Sequence, residues 1–203
     1  MNKITLLLVL LLGSCFITLT ANAQFSGGNG SESSPYQIAT LADLRFLSEN
    51  NVYWDSCFVQ TADIDASETR NWNISGSDTL VFSPIGTPDN KFTGSYYGQG
   101  YSINNLYINR PSTNYVGLFG YVDGTEIDSL GIINCNITGA NYTGGFLGMN
   151  AGSSFVRNCF ATGNVKGKDN TGGLVARNIS STIRNSYATC TVVTKHKKGS
   201  TIE

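Results

Sequence analysis

The chain has 203 residues, of which 13% are charged, and its formal net charge is −1. A sequence this close to neutrality offers no broad basic surface, so we expect no nucleic-acid partner. Its 23 glycines, together with abundant Asn, Ser and Thr, are typical of many short strands joined by tight turns.

The N-terminal segment has the three parts of a secretory signal peptide. Lys3 precedes an apolar stretch over residues 4–12, and an A-x-A cleavage site ends at Ala23. The apolar stretch is too short to cross a bilayer comfortably. We therefore predict a signal peptide over residues 1–23 and an exported mature chain without a transmembrane anchor. A lipoprotein acylated at Cys15 is the alternative interpretation.

The segment after the cleavage site contains the one helix that the sequence predicts. Thr40 and Asp43 have the spacing of an N-cap and its partner, and they predict a short helix that runs to about Ser48. Because the open end of a stack of strands has to be covered, we interpret residues 24–60 as an N-terminal cap. Residues 61–114 are then degenerate first coils.

A glycine-rich phrase recurs three times within residues 115–194, with a period of 28 residues. A constant period of this size indicates stacked units that cannot bury an apolar face alone. We expect its glycines to form corners, where unusual backbone angles or close backbone contacts are needed. These motif glycines are Gly117, Gly120, Gly144, Gly145, Gly148, Gly172 and Gly173.

Apolar residues that follow each phrase line up into columns. The first predicted column is Ile103, Ile127, Val156 and Ile183; the second is Leu106, Leu130, Cys159 and Ser186; the third is Ile108, Ile132, Ala161 and Ala188. Successive turns that pair in parallel would point these columns inward. The sequence therefore predicts an all-β fold, a right-handed parallel β-helix with a short N-terminal capping helix. A β-propeller fits less well, because its blades are typically about 40 residues or longer.

The phrases resemble the GLUG motif of bacterial secreted and surface proteins. The resemblance rests on Gly-Leu-Phe-Gly at 117–120, Gly-Gly-Phe-Leu-Gly at 144–148, Gly-Gly-Leu-Val at 172–175 and the flanking segments 34–40, 61–65, 92–94, 105–108, 158–163 and 185–189. It implies a β-helix in a cell-envelope or extracellular setting. Such repeats occur in adhesin-like proteins and as accessory regions of immunoglobulin A-specific metallopeptidases. The third copy departs from the motif at Ala176 and Arg177, which suggests the edge of the array.

Candidate catalytic groups are scarce. The only histidine, His196, lies in the basic C-terminal tail over residues 195–203, so the H-E-x-x-H zinc site is absent. Asp63 and Asp65 would share a strand face; they are candidate acids for glycoside cleavage or oxygen ligands for Ca²⁺. A polar strand edge or a turn is the simpler interpretation. We identify no cluster of acids with Lys or Arg on one outward face, and we expect no metal or cofactor.

Two aromatic residues are candidates for binding. Phe160 and Tyr187 fall between inward positions of successive repeats, so they should point outward and stack. The stack is either a platform for sugar rings or an ordinary cross-strand pair that stabilises the sheet.

The mature chain has four cysteines, Cys57, Cys135, Cys159 and Cys190. The alignment places Cys135 and Cys190 in one column, opposite Gly163 and one turn apart. Two strand spacings are about 10 Å, which is too far for a disulfide. We predict thiols that behave as small core residues, with Cys57 unplaced.

The sequence favours a secreted or cell-surface module with an adhesin-like binding or structural role and no catalysis. Its partners would be glycans or surface and host proteins. One alternative is a carbohydrate-active enzyme, a lyase or hydrolase, on the same scaffold. Another is an accessory fragment of a larger surface protein, since no second cap follows the repeats.

Overall fold

The structure is a computed structural model that describes residues 25–72 and 82–195. The predicted signal peptide and His196, with the rest of the basic tail after Lys195, lie outside the described residues.

The N-terminal part contains the predicted helix. Strand β1 (Tyr36–Ile38) leads to helix α1 (Leu41–Glu49), the only α-helix in the described ranges. Thr40 and Asp43 form a reciprocal capping box, which satisfies backbone N–H groups at the start of the helix. Two 3₁₀ turns (Asn51–Tyr53 and Ser67–Asn71) and strands β2 (Cys57–Gln60) and β3 (Ile64–Asp65) follow.

Fourteen further strands complete the described fold. They are β4 (Ser95–Tyr97), β5 (Ser102–Asn104), β6 (Tyr107–Asn109), β7 (Phe119–Asp123), β8 (Glu126–Asp128), β9 (Gly131–Thr138), β10 (Thr143–Gly144), β11 (Leu147–Ala151), β12 (Phe155–Arg157), β13 (Phe160–Gly167), β14 (Thr171–Gly172), β15 (Val175–Asn178), β16 (Thr182–Arg184) and β17 (Tyr187–Thr194).

These strands form three walls, in which the paired strands are parallel. Wall A has the order β1-β2-β4-β8-β12-β16, and wall B has the order β17-β13-β9-β5-β3 with β6 also pairing with β9. Wall C consists of β15-β11-β7, and the short pair β10-β14 closes one corner. The chain visits walls C, A and B in turn and so winds a parallel β-solenoid of about 4 turns. Strands β1 and β2, from the segment assigned to the cap, already belong to wall A.

The repeat period sets the register between turns. Phe119 pairs with Leu147, and Leu147 pairs with Val175 in wall C. The side-chain amide of Asn150 donates to Asn178, 28 residues later, at 2.7 Å. Each turn therefore places equivalent residues in contact, as the glycine-rich phrases predict.

The predicted inward columns are confirmed from residue 127 onward. Ile127, Val156 and Ile183 are in register on wall A, as are Ile132, Ala161 and Ala188 on wall B. The members of both columns before the last turn are fully buried. Burying these apolar side chains is the main stabilising contribution of such a stack.

The predicted register is wrong for the earliest members of the columns. Tyr96 occupies the level of Ile127, while Ile103 pairs with Ile132 and Ile108 pairs with Ile137. Leu106 likewise shifts by one strand to the level of Cys135, since the following residues Tyr107 and Asn136 are paired in β6 and β9. The physical reason is a longer turn between β4 and β5, which contains the two positive-φ residues Gln99 and Gly100.

Most of the motif glycines are required because other backbone atoms lie close to them, not because they adopt unusual dihedral angles. None of them has a positive φ. A Cβ atom on Gly144 would lie 2.2 Å from the carbonyl oxygen of Leu147, and one on Gly148 would lie 2.7 Å from that of Gly120. The left-handed corners are instead occupied mostly by Asn, Ser and Tyr, for example at Asn158 and Asn185.

The last turn is more open than the others. Val192 is 41% exposed, whereas Val165, its partner one turn earlier, is 1% exposed. Strand β15, which carries the divergent Ala176 and Arg177, is an edge of wall C. The inward residues of the last described turn are therefore covered on one side only.

Candidate functional site

The outward face of wall B carries the predicted aromatic pair. Phe160 and Tyr187 are in register on β13 and β17, with ring centroids 5.4 Å apart and an interplanar angle of 8°. Tyr187 is 57% exposed. On the other side, the Phe160 ring occupies the space that a side chain on Gly131 would need, since a Cβ there would lie 2.4 Å from the ring. The predicted outward stacking is confirmed.

Wall B bends a few residues beyond this stack. The register between β9 and β13 shifts between Ala161 and Gly163, so Asn134 is an extra residue and has a φ of 56°. Gly163 has a φ of 126°, and a Cβ atom there would lie 2.2 Å from the carbonyl oxygen of Cys135. Only glycine fits this position without strain, because both the dihedral angle and the space exclude a side chain.

A polar groove of about 550 Å³ lies against the bend. One side is the turn Ser67–Asn71, and the other is formed by Asn105, Asn134, Asn136, Asn164 and Cys135. Asn134 donates to Asn105 at 2.8 Å, which orders the neighbouring amides. Within the described part of the chain, the side-chain amides of Asn136 and Asn164 have no hydrogen-bond partner. They are in register on adjacent turns and can donate to or accept from a ligand.

The two predicted aspartates are structural acceptors, and Asp65 lies beside this groove. Asp63 accepts from the backbone N–H of Ser102 at 2.7 Å and from its hydroxyl at 3.0 Å. Asp65 accepts from the N–H of Ser67 and from the side chain of Asn105, each at 3.0 Å. The hydrogen bond from Asn105, followed by those from Ser67, lowers the pKa of Asp65. These contacts hold the turn and link successive coils, which agrees with the simpler of the two interpretations.

Wall A carries a charged cluster that sequence reasoning missed. Arg157 contacts Glu126 at 2.6 Å and Asp128 at 2.9 Å, and the hydroxyl of Tyr97 donates to Glu126 at 3.1 Å. The expectation that no outward face combines acids with a base was therefore wrong. The sequence gives only a weak indication of this cluster. Glu126 and Asp128 are two positions apart, and Arg157 lies beside them only because it is one turn later in the solenoid.

The contacts within this cluster favour the charged forms of the Asp128 carboxylate and the Arg157 guanidinium. Partial burial alone would raise the pKa of Asp128, but hydrogen bonds from Asn158, Ser129 and Arg157 together hold that pKa below its ordinary value. The hydrogen bond to Asp128 is the largest cause that raises the pKa of Arg157. A carboxylate with a lowered pKa is a poor proton donor at neutral pH, so Asp128 is better suited to ion pairing than to general acid catalysis.

The four cysteines in the described part of the chain, Cys57, Cys135, Cys159 and Cys190, are free. Cys135 and Cys190 both pair with Gly163, as predicted, and their thiols interact across it. Burial raises the pKa of Cys135 and of Cys159 to about 12. Both are core residues, whereas Cys190 in the last turn and Cys57 at the start of β2 are half-buried.

Comparison with known proteins gives two relatives in sequence. The chain is 39% identical over 153 residues to halomucin of Haloquadratum walsbyi, a match that covers 73% of this chain and 2% of halomucin. It is 33% identical over 115 residues to a protein of Evansella cellulosilytica described as a Gly-rich membrane protein, covering 57% of this chain and 12% of that protein. The chain thus spans a small part of the length of these relatives. No model of a known protein family matches the sequence.

Among solved structures, one from Bacteroides ovatus is described as an immunoglobulin A1 protease. It aligns with a TM-score of 0.38 and 15% sequence identity over 88% of this chain and 83% of that one. Within residues 25–72 and 82–195, no helix combines the length and the apolar character that crossing a membrane requires.

Proposed function

We propose that this protein is an exported, cell-surface module of the GLUG type that binds glycans through wall B without cleaving them. The observation that carries the proposal is the outward, nearly parallel stack of Phe160 and Tyr187 on wall B. Aromatic faces are suited to the C–H faces of sugar rings, because both are broad and apolar while their edges are polar.

The polar groove supplies the second requirement of a sugar site. Sugar hydroxyl groups need donors and acceptors, and the unpaired amides of Asn136 and Asn164 offer both. Small-molecule sites commonly combine apolar surface with a few polar groups of fixed position. The stack and the groove lie on the same wall, so one extended glycan could contact both.

The proposal also includes a location at the cell surface, a right-handed solenoid and a capping role for helix α1. The predicted N-terminal export signal and a relative described as a membrane protein support a place at the cell surface. The solenoid is right-handed, as is usual for parallel crossovers. Helix α1 caps its first turn, an assignment supported by the complete burial of Leu44 and Leu47 in the apolar core.

The test compares two pairs of stacked rings at different places on the solenoid. The mature protein is screened on a glycan array, and affinities for the best ligands are measured by calorimetry. Replacing Phe160 and Tyr187 together by alanine should weaken binding at least tenfold. The matched control is Tyr115→Ala/Tyr142→Ala, which removes a stack with centroids 4.8 Å apart outside wall B. Equal affinity in the wild type and the wall B variant would refute the proposal.

A carbohydrate-active enzyme is the second candidate, and the cluster of Glu126, Asp128 and Arg157 favours it, because paired acids on one face are the usual catalytic groups of glycosidases. It predicts the release of reducing ends or unsaturated sugars from a polysaccharide panel. Release that is lost in Glu126→Gln/Asp128→Asn, or in Asp63→Asn/Asp65→Asn, would establish the enzyme and overturn a binding-only role.

A further inference from the structure

A second cavity, of about 240 Å³, lies at the end of wall B where the strands turn toward wall C. Its lining includes three lysines, Lys166, Lys168 and Lys195, together with the polar residues Asn109 and Thr138. The chain as a whole has a formal net charge of −1, so this positive site is a local departure from its composition.

The register explains how lysines that are distant in sequence come together. Lys166 is an outward residue of β13 and pairs with Thr138 of β9. Just beyond the strand ends, the N–H of Lys195 donates to Gly167 at 3.0 Å. Lys195 is therefore level with Lys168 on the adjacent turn, about 4.8 Å away along the stack.

Lys168 and Lys195 carry like charges at the same level of adjacent turns. Like charges directly opposite each other destabilise a pair of strands. The ion pairs formed by described residues use Arg45, Lys91 and Arg157, and none of them involves the three lysines of the cavity. The residues that line the cavity include no carboxylate. Three lysines thus line one small space, and no carboxylate lines it with them.

The chemistry of the cavity is that of an anion site. Each ammonium group offers three donors, and the Thr138 hydroxyl and the Asn109 amide add neutral ones. A carboxylate or sulfate group would accept from several of them at once, in charge-assisted hydrogen bonds. Such a group would also relieve the repulsion between the lysines.

We infer that the three lysines bind the anionic group of an acidic polysaccharide, an inference that rests on the proposed glycan-binding function. Phe160 and Lys166 lie on the same strand, six residues or about 20 Å apart, with the polar groove beside the same strand. A linear acidic chain lying along β13 could therefore contact the aromatic stack, the asparagines and the lysines at once.

The experiment uses polymers that differ in charge. Polygalacturonate is compared with its fully methyl-esterified form, and chondroitin sulfate with desulfated, carboxyl-esterified chondroitin, each titrated into the mature protein. The wild type should prefer the acidic polymer about tenfold at low salt, as expected for three exposed ion pairs, and the preference should fall as salt is added. The variant Lys166→Gln/Lys168→Gln/Lys195→Gln should bind the two forms about equally.

A charge-matched control separates a site from a general electrostatic effect. The variant Lys91→Gln/Arg177→Gln/Arg184→Gln removes the same number of positive charges outside wall B and should keep the preference. The inference is overturned by no preference in the wild type, by a preference that survives in the triple-lysine variant, or by equal loss in the control. Affinity for the esterified polymers reports on the aromatic stack separately. No binding to either acidic polymer also overturns the inference, and no binding to any of these polymers or to any glycan of the array overturns the proposed function with it.

Discussion

Gly145 donates its backbone N–H to the carbonyl oxygen of Gly173 on the next turn, at 3.1 Å, and a Cβ atom on Gly145 would lie 2.2 Å from that oxygen. The two residues hold the same position in consecutive repeats. Their environments differ, because Gly173 lies in the last described turn, and a Cβ on it would meet the Cβ of Ala188 at 3.1 Å. The same motif glycine is thus indispensable in one turn and nearly replaceable in the next.

Gly145→Ala should lower the free energy of unfolding by about 2 kcal/mol, since the backbone of two turns must separate to admit the methyl group. Gly173→Ala is its matched control and should cost less than about 0.5 kcal/mol, because only the exposed edge strand β17 at Ala188 has to shift by a few tenths of an ångström. Urea unfolding followed by circular dichroism measures both. Neither residue has a positive φ, so the difference isolates contact between turns from backbone conformation. Equal losses in the two variants would contradict this assignment.

The Phe160 and Tyr187 rings should also stabilise the last turn, whatever they bind. Their nearly parallel stacking predicts a coupling free energy of about 0.5–1 kcal/mol between the two side chains. A double-mutant cycle with Phe160→Ala, Tyr187→Ala and the double variant measures it by urea unfolding. A coupling free energy near zero would mean that the two rings are independent in solution.

Buried thiols should be protected from alkylation. With a pKa of about 12 for Cys135, only about one molecule in ten thousand carries a thiolate at pH 8, and the thiolate is the reactive form. Iodoacetamide should therefore label Cys135 and Cys159 at least 100-fold more slowly than the half-buried Cys57 in the native protein. All four should react at similar rates in urea. Tandem mass spectrometry locates the label. Rapid native labelling of Cys135, or a bridge from Cys135 to Cys190, would contradict the assignment of Cys135 as a buried free thiol.

The sequence predicts the register best where the repeat is complete. From Val116 onward, three copies with a constant period allow one alignment, and it is the observed one. The earlier copy was misplaced because the spacing from Ile103 to Ile108 fits Ile127 to Ile132 and Ile132 to Ile137 equally well. A turn of different length before β5 decides between the two, and no local pattern encodes its length.

The candidate site was only partly predictable. The outward stack follows from the alternation of side chains along a strand, which is a local property. The polar groove depends on where the turn Ser67–Asn71 lies against wall B. The hydroxyl of Thr69 fixes that position by accepting from the N–H of Tyr107 at 2.9 Å. This contact joins residues 38 positions apart with no repeat relation between them, so sequence periodicity carries no information about it.

The pH dependence of stability should reveal the cluster on wall A. The pKa of Asp128 is lowered in the folded state from an unfolded value of about 3.9, so its stabilising contribution is present above about pH 4 and is lost as the pH falls through the folded pKa.

Asp128→Asn should therefore lower the free energy of unfolding by about 1 kcal/mol at pH 7, because the bonds from Arg157, Asn158 and Ser129 weaken when the charge is removed. As the pH falls through the folded pKa, the wild-type carboxyl group becomes protonated, and the difference between wild type and variant should shrink. The exposed Asp169 is the control: Asp169→Asn should leave stability unchanged at both pH values, within about 0.5 kcal/mol. Urea unfolding at pH 7, 4 and 2 measures the trend. A loss in Asp128→Asn that is as large at pH 2 as at pH 7 would mean that the contribution comes from packing rather than from the carboxylate charge.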